Sequence, residues 1–552
     1  MAAAATAPHP KGLYVLFTTE MWERFNFYGM RALLTLFLVN ALAFREDEAS
    51  IIYGGFLGLS YLTPMLGGFI ADRFLGNRNC ILLGGLTMGI GQLLLFASGA
   101  VYADNVDLAT YIMWAALGAI ILGNGFFKPN ISSMVGQLYP KGDNRLDSAF
   151  TMFYMGINLG AFLGITISPL LGDVIVGGVR QVEAFKWGFL AAGAAMFIGT
   201  ATFFVLKNKY VVDPSGAPVG ARPRFGQGGG SGESEKPVFT QSALLGAALG
   251  FVGLLVAFKF LVGQNWVYAF IYASGLTLAG LIMTDKTLTR MERDRIIVMY
   301  FVALFVMFFW ACFEQAASSL TFIAERQTDR NILGWEMPPS MVQNANSTFV
   351  ILLSIPFSLL WLWLGRRNAE PISTAKQGVG LLLLAFGSLL VGLQFKGLDA
   401  ATRISVLWLF LMYFFHTVGE LCLSPIGLSL VSKLAPIRFT SLLMGVWFLA
   451  NAGGYALAGT LGALLPPTGD KYEEAQKLGI DLGQVLSGAD TNAAHLAQLA
   501  EKNIPTSYPT FAGFTITNLY EFFMVMVILP AAAGLILLAL TGRLKRMMHG
   551  VR

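Results

Sequence analysis

The residues of this chain that could do chemistry begin in one short run, Glu20-Met21-Trp22-Glu23-Arg24-Phe25-Asn26-Phe27-Tyr28-Gly29-Met30-Arg31. The run sits inside an otherwise apolar segment, residues 13–44, long enough to cross a bilayer. Glu20 and Glu23 are spaced i,i+3, and Glu20 and Arg24 are spaced i,i+4, so the three share one helix face. Arg31 extends the same stripe two turns on. A charge at the centre of a lone membrane helix costs roughly 2.5–3.5 kcal/mol, so these groups must face other protein or a water-filled cavity. Lys128, Glu314 and Glu420 stand isolated inside later apolar segments. Acids and bases nearly balance in this set, as a low-dielectric cavity demands, because an unpaired charge is costly there. The set is also rearrangeable: a ligand or a proton can replace one partner without stranding the other. The plain alternative is a fixed ion-pair lock between helices, for which a single pair would suffice.

The elements that hold these charges must be membrane helices. The 552 residues are 55% hydrophobic and only 12% charged, with a mean hydropathy of +0.63. A soluble protein carries about twice that charged fraction. The 62 glycines suit close helix packing in lipid. The net charge of +5 comes from Lys and Arg in short loops and is no nucleic-acid footprint. Cys80, Cys312 and Cys422 are odd in number and do not make a disulfide framework. Segment 13–44 is too long for the apolar part of a cleavable signal peptide. There is no H-E-x-x-H, no metal-spaced His cluster and no G-x-S-x-G, so the expectation is no metal, no cofactor and no enzyme.

The apolar segments predict an all-α membrane protein with fourteen spanning helices. Residues 1–12 form an N-terminal tail, 13–206 a first bundle of six helices, and 207–240 a flexible linker. Residues 241–295 form an inserted helix pair, 296–542 a second bundle of six, and 543–552 a C-terminal tail. Within the linker, residues 211–238 are rich in turn- and coil-forming Gly, Pro and Ser and are not expected to pack a core. With the N-terminus inside, Lys and Arg favour the inner loops by roughly two to one, which places both termini in the cytoplasm. The stretch 466–509 is the longest outside the membrane. It is moderately polar and partly helical in pattern, and carries no evident chemistry.

Several motifs recur in a fixed order. The first reads E-x-x-E-R-F-x-x-Y-G from Glu20. Gly123-Asn124-Gly125-Phe126-Phe127-Lys128-Pro129-Asn130 lies in the fourth span, and Phe153-Tyr154-Met155-Gly156-Ile157-Asn158-Leu159-Gly160 in the fifth. Trp310-Ala311-Cys312-Phe313-Glu314-Gln315 follows, then Glu420-Leu421-Cys422-Leu423-Ser424-Pro425 and Met444-Gly445-Val446-Trp447-Phe448. This series resembles the proton-coupled oligopeptide transporters of the major facilitator superfamily, in the bacterial form with an inserted helix pair. The resemblance implies a major facilitator fold of two pseudo-symmetric six-helix bundles plus two extra helices, located in the cell inner membrane. Gly67 to Arg78 resembles the superfamily's cytoplasmic gate loop, which implies gating contacts for Asp72 and Arg73. Three departures stand out. Phe27 replaces a common Tyr, Asn346 is followed by Ser347 instead of Pro, and no His lies in the second span, where animal relatives have one. Proton sensing therefore falls to carboxylates, with His416 a packed residue or a modulator of Glu420.

The resemblance implies a symporter of protons with di- and tripeptides. Arg31 and Lys128 would hold the peptide carboxylate; Glu420, Asn158 and Asn346 would hold its amine. Tyr28, Tyr61 and Tyr154 would orient its backbone, and Trp310, Phe313 and Trp447 would line side-chain pockets, although each aromatic could equally serve helix packing. Glu20, Glu23, Arg24 and Glu314 would couple to protons, with Glu23 and Glu314 the main carriers and Glu314 expected to pair with Arg31. Alternatives are a carrier of an amino acid, nitrate or another organic anion, or a sensor that binds peptide without moving it. Oligomeric state is not legible.

Overall fold

The structure is a computed structural model that describes residues 8–140, 143, 145–222, 239–398 and 402–550. Most of the chain is helix. The first six helices are α1 (Lys11–Asn40), α2 (Glu46–Ile70), α3 (Asn77–Val101), α4 (Val106–Gln137), α5 (Leu146–Gly172) and α6 (Phe185–Tyr210). There follow α7 (Gln241–Phe260), α8 (Trp266–Met283), α9 (Arg290–Phe313), the short α10 (Ser319–Arg326), α11 (Asn344–Arg366), α12 (Ser373–Gln394), α13 (Val406–Leu434) and α14 (Thr440–Gly462). Three short helices, α15 (Gly469–Lys477), α16 (Leu482–Leu486) and α17 (Ala493–Glu501), precede the long α18 (Leu519–Met547). Among the described residues, thirteen helical stretches are long and apolar enough to cross a membrane. α1, 30 residues long, joins them as a fourteenth once its buried charges are allowed for. Strands among the described residues are two-residue ladders only.

Side chains start many helices where the sequence places a cap. Asn105, Thr240, Asn265, Thr289 and Asn518 each accept a backbone N–H from the first turn of the helix that follows. Thr289 and Glu292 form a reciprocal capping box at the start of α9.

The chain divides into two compact units. The first comprises Met1–Ala43, Ser60–Gly230 and Pro338–Ile351. In it α1 packs along α5 and α6, and α3 packs on α4 and α6. Gly156, Gly160 and Gly164 of α5 recur every four residues and let the two backbones touch. A Cβ at Gly160 would lie 2.1 Å from the Met21 carbonyl oxygen of α1. The start of α11 belongs to this unit too. Asn344 donates to Thr166 Oγ1 of α5 at 2.7 Å. Buried Asp173, ion-paired to Arg180 at 2.8 Å, accepts the Ser340 hydroxyl at 2.6 Å.

Two expectations for 207–240 are corrected. Residues 207–210 continue helix α6. Residues 211–222 fold back onto the unit, with Val211 and Val219 buried in its core. Arg78 causes this: its guanidinium donates to the carbonyls of Val219 at 2.6 Å and Lys207 at 3.2 Å, and to that of Val211. The remainder of the expected linker, 223–238, lies outside the described residues, as do residues 1–7 and 551–552 of the tails.

The second unit comprises Phe44–Leu59, Ser231–Met337 and Leu352–Arg552. α9 packs on α14 and α18, α12 packs on α13 and α18, and α8 packs on α7 and α14. The stretch 466–509 builds its own small core from Ala475, Ile480, Leu482, Val485, Leu486, Leu499 and Ile504. Arg326, at the end of α10, pairs with Glu46 of α2 and, at 3.0 Å, with Asp470 of α15.

Candidate functional site

The charged face of α1 is buried, with Glu20 3%, Glu23 0%, Arg24 4% and Arg31 7% exposed. Arg24 Nε donates to Glu20 Oε1 at 2.7 Å and lies 2.7 Å from Glu23 Oε2. Neither Glu23 oxygen accepts a hydrogen bond among the described residues. One guanidinium therefore serves two buried carboxylates, and only one of them holds it by a hydrogen bond.

The two substrate-binding cations expected in this unit each lie over a tyrosine ring. Arg31 stands 4.7 Å from the centroid of Tyr28, three residues before it on α1. Lys128 of α4 stands 3.6 Å from the centroid of Tyr61 of α2. Cation–π contacts of this kind are worth about 0.5–2 kcal/mol, depending on desolvation. The glycines beside Lys128 bring its helix close: a Cβ at Gly125 would lie 2.7 Å from Thr63 Cβ of α2. Tyr154 and Asn158 share a face of α5. Tyr154 is exposed, and the Asn158 amide donates to the Tyr154 carbonyl at 2.9 Å. Asn346 lies half-exposed in the first turn of α11, two residues beyond Asn344. Asp72 and Arg73 lie in a π-helical turn, Ala71–Leu75, that ends α2. Both are exposed, and Arg73 stands 4.9 Å from the Phe69 ring.

In the second unit the helix breaks at the buried acid. The apolar run that opens the second bundle is not one unbroken helix: α9 ends at Phe313. A 3-10 turn, Glu314–Ala317, follows before α10 begins. Gln315 explains how the break is tolerated. Its amide donates to the carbonyls of Ala311 at 2.8 Å and of Ala458 in α14 at 3.0 Å, and it accepts the Ser319 hydroxyl at 2.6 Å. Broken helices at membrane depth are tolerated where neighbours re-satisfy the backbone or where they line a cavity. Glu314, 4% exposed, accepts the Tyr53 hydroxyl of α2 at 3.2 Å. Sequence reasoning missed Tyr53. Its only signal was a hydroxyl two turns before Tyr61 in the same span.

Trp310 and Phe313 form an aromatic cluster with centroids 5.4 Å apart, edge to face. Tyr455 of α14 stands 5.9 Å from Trp310, and His416 of α13 stands 6.3 Å from Phe313. His416 is buried and bonded to the Ser388 hydroxyl at 3.1 Å, as a packed residue would be. Glu420 lies one turn further along α13, partly exposed. Trp447 is buried among Met299, Tyr300, Ala303, Val431, Leu443 and Val446, which is the packing alternative for that residue. Among the described residues no group of His, Cys, Asp or Glu could hold a metal.

Long apolar helices with acids, bases and aromatics sealed inside them define a polytopic membrane transporter of the major facilitator type. Comparison with known proteins narrows this. The model of the POT family matches residues 78–222 and 243–473. Peptide transporter YePEPT of Yersinia enterocolitica is 32% identical over 473 residues, covering 82% of this chain and 88% of its own. Dipeptide and tripeptide permease A of Chromobacterium violaceum is 30% identical over 471 residues, covering 84% and 87%. Among solved structures, a peptide transporter POT in complex with sulfate superposes with a TM-score of 0.72 at 28% identity, over 99% of both chains. A POT family transporter in complex with 5-aminolevulinic acid gives 0.71 at 27%, over 97% of both chains. The chain belongs to the POT family. It is a transporter, not an enzyme.

Proposed function

We propose that this protein is a proton-coupled symporter that imports di- and tripeptides by alternating access. The observation that carries the reading is Lys128 held 3.6 Å over the Tyr61 ring. A ring face holds an ammonium without cancelling its charge, which suits later capture of a peptide carboxylate. Arg31 is the second carboxylate-binding group, and Glu420 with Asn158 and Asn346 the amine-binding set. Tyr28, Tyr61 and Tyr154 orient the backbone, and Trp310 and Phe313 offer apolar surface to side chains. Support for peptides as substrates comes from the relatives, named as peptide transporters and as dipeptide and tripeptide permeases.

Glu23 and Glu314 are the proton carriers in this reading, assisted by Glu20 and Arg24. Burial favours a neutral carboxyl and a neighbouring cation favours a charged one, so a change in either surrounding moves a proton. One pH unit supplies about 1.4 kcal/mol per proton, and 100 mV supplies about 2.3 kcal/mol per charge. Together they limit accumulation of a neutral peptide to a few hundred-fold for one proton. Residues 13–206 and 296–542 act as the two transport halves, with 241–295 as an added pair and Asp72 and Arg73 at the cytoplasmic gate. The protein lies in the cell inner membrane with both termini cytoplasmic, in keeping with the basic bias of the inner loops.

The test is uptake of labelled dialanine into proteoliposomes with and without an inward proton gradient. Accumulation above equilibrium that collapses with an uncoupler is expected. Folded protein that accumulates nothing would overturn the reading. A second reading, carriage of another molecule with an amine at one end and a carboxylate at the other, is favoured by the related structure with 5-aminolevulinic acid.

A further inference from the structure

Helices α7 and α8 carry none of the charges discussed above, yet α8 is not peripheral. Tyr268, Ala269, Ile271 and Ala273 bury one of its faces in the second unit. Two of these side chains fill notches in α2. The Tyr268 hydroxyl donates to the Ile51 carbonyl oxygen at 2.9 Å, and the residue is 1% exposed. Gly54 of α2 and Gly459 of α14 make the slot around that hydroxyl. A Cβ at Gly54 would lie 2.6 Å from it, and one at Gly459 would lie 2.0 Å from it. One turn along α2, Ile271 fills the space over Gly58, where a Cβ would lie 2.7 Å from its Cδ1. The same part of α2 carries Ser50, whose hydroxyl accepts that of Ser318 at 2.9 Å, and Tyr53, which donates to Glu314.

We infer that Tyr268 of the inserted helix pair is a positioning residue. It sets the register of α2 against α14, and so keeps the Tyr53 hydroxyl on Glu314. The inference rests on the proposed role of Glu314 as a proton carrier. Ile51 and Tyr53 lie within one helical turn, and a helix is stiff over that length, so a hold on the Ile51 carbonyl is a hold on Tyr53. α2 is also shared, since Ser60 to Ile70 belong to the first unit.

Tyr300 supplies the control. Its hydroxyl donates to the Ala279 carbonyl of α8 at 2.8 Å, so Tyr300→Phe also removes one hydroxyl bond to the insert, away from α2. Two readouts are compared in the full-length protein: hydrogen exchange of amides 51–56, and proton-driven uptake of dialanine against counterflow. Tyr268→Phe should speed exchange there and lower driven uptake at least threefold, with the counterflow KM unchanged. Gly459→Ala, which crowds the phenol out of its slot, should do the same. Tyr53→Phe should lower driven uptake while leaving exchange slow, and Tyr300→Phe should change neither. Wild-type exchange or wild-type driven uptake in Tyr268→Phe, or an equal effect from Tyr300→Phe, would overturn the inference. Failure of the wild type to move labelled peptide would refute the transport reading instead, and the exchange comparison would still judge the hold on α2.

Discussion

Arg24 Nε lies 2.7 Å from a carboxylate oxygen of Glu23, yet its hydrogen bond goes to Glu20, also at 2.7 Å. Glu23 is thus held by charge alone within a fully buried face of α1. Replacing it by Gln keeps the shape and removes the proton-carrying group. Glu23→Gln should lose proton-driven accumulation by tenfold or more while keeping exchange of labelled for unlabelled peptide. Full driven uptake in this variant would remove Glu23 from the proton path.

Lys128 and Tyr61 act as a pair across α4 and α2. Charged hydrogen bonds contribute about 1.5–3 kcal/mol, so Lys128→Ala should raise the KM for dialanine by roughly tenfold or more. Tyr61→Phe keeps the ring face under Lys128 but loses the hydroxyl that orients the peptide backbone, so it should weaken binding modestly, whereas Tyr61→Ala should weaken it severalfold. Isothermal titration with dialanine, read beside the uptake kinetics, separates loss of binding from loss of turnover.

Gly160 is where α5 touches α1. A methyl group there meets the Met21 carbonyl oxygen at 2.1 Å and Arg24 Cβ at 2.8 Å. Overpacking of this kind typically costs 1–3 kcal/mol. Gly160→Ala should lower the thermal midpoint of the detergent-purified protein by several degrees. It should also impair driven uptake, because the helix that shifts carries Glu20, Glu23 and Arg24. Gly118→Ala, with open space around its Cβ, should be silent in both measurements.

Outside the membrane, Asp490 is a pH-dependent clasp. Its carboxylate accepts the Asn492 N–H at 2.9 Å and stands 2.6 Å from His495 Nδ1. These contacts hold its pKa below the ordinary 3.8, the Asn492 N–H being the larger cause. A depressed carboxyl pKa contributes stability that is present above the ordinary value and lost as pH falls below it. Hydrogen exchange at the start of α17 should therefore stay slow between pH 5 and 8, after correction for the intrinsic rate. It should quicken below about pH 3.8, and Asp490→Asn should quicken it at neutral pH.

The helices were legible in the sequence because lipid leaves a spanning segment little choice: about 20 apolar residues with every backbone group paired internally. The charges on α1, Lys128, Glu314 and Glu420 were legible for the converse reason, since a charge in such a segment has no cheap place to be. Trp447 was less legible. Its aromatic character fits a pocket or a packed interface equally well, and its neighbours decide between them. Residues 211–222 misled through composition: Gly and Pro suggested free coil, but Arg78, more than 130 positions earlier, gathers the carbonyls of this stretch.

By itself, then, the sequence determined the membrane class, the order of the spans and the buried charges that mark the family. Tertiary structure alone decided which groups meet. Tyr53 reaches Glu314 from 261 residues away, and Gln315, in the turn after α9, patches the broken helix by donating to carbonyls of α9 and α14. The Tyr268 hydroxyl finds a slot between glycines of two other helices. Such meetings depend on how far neighbouring helices approach and rotate. In helices apolar nearly all round, no hydrophobic stripe in the sequence encodes that.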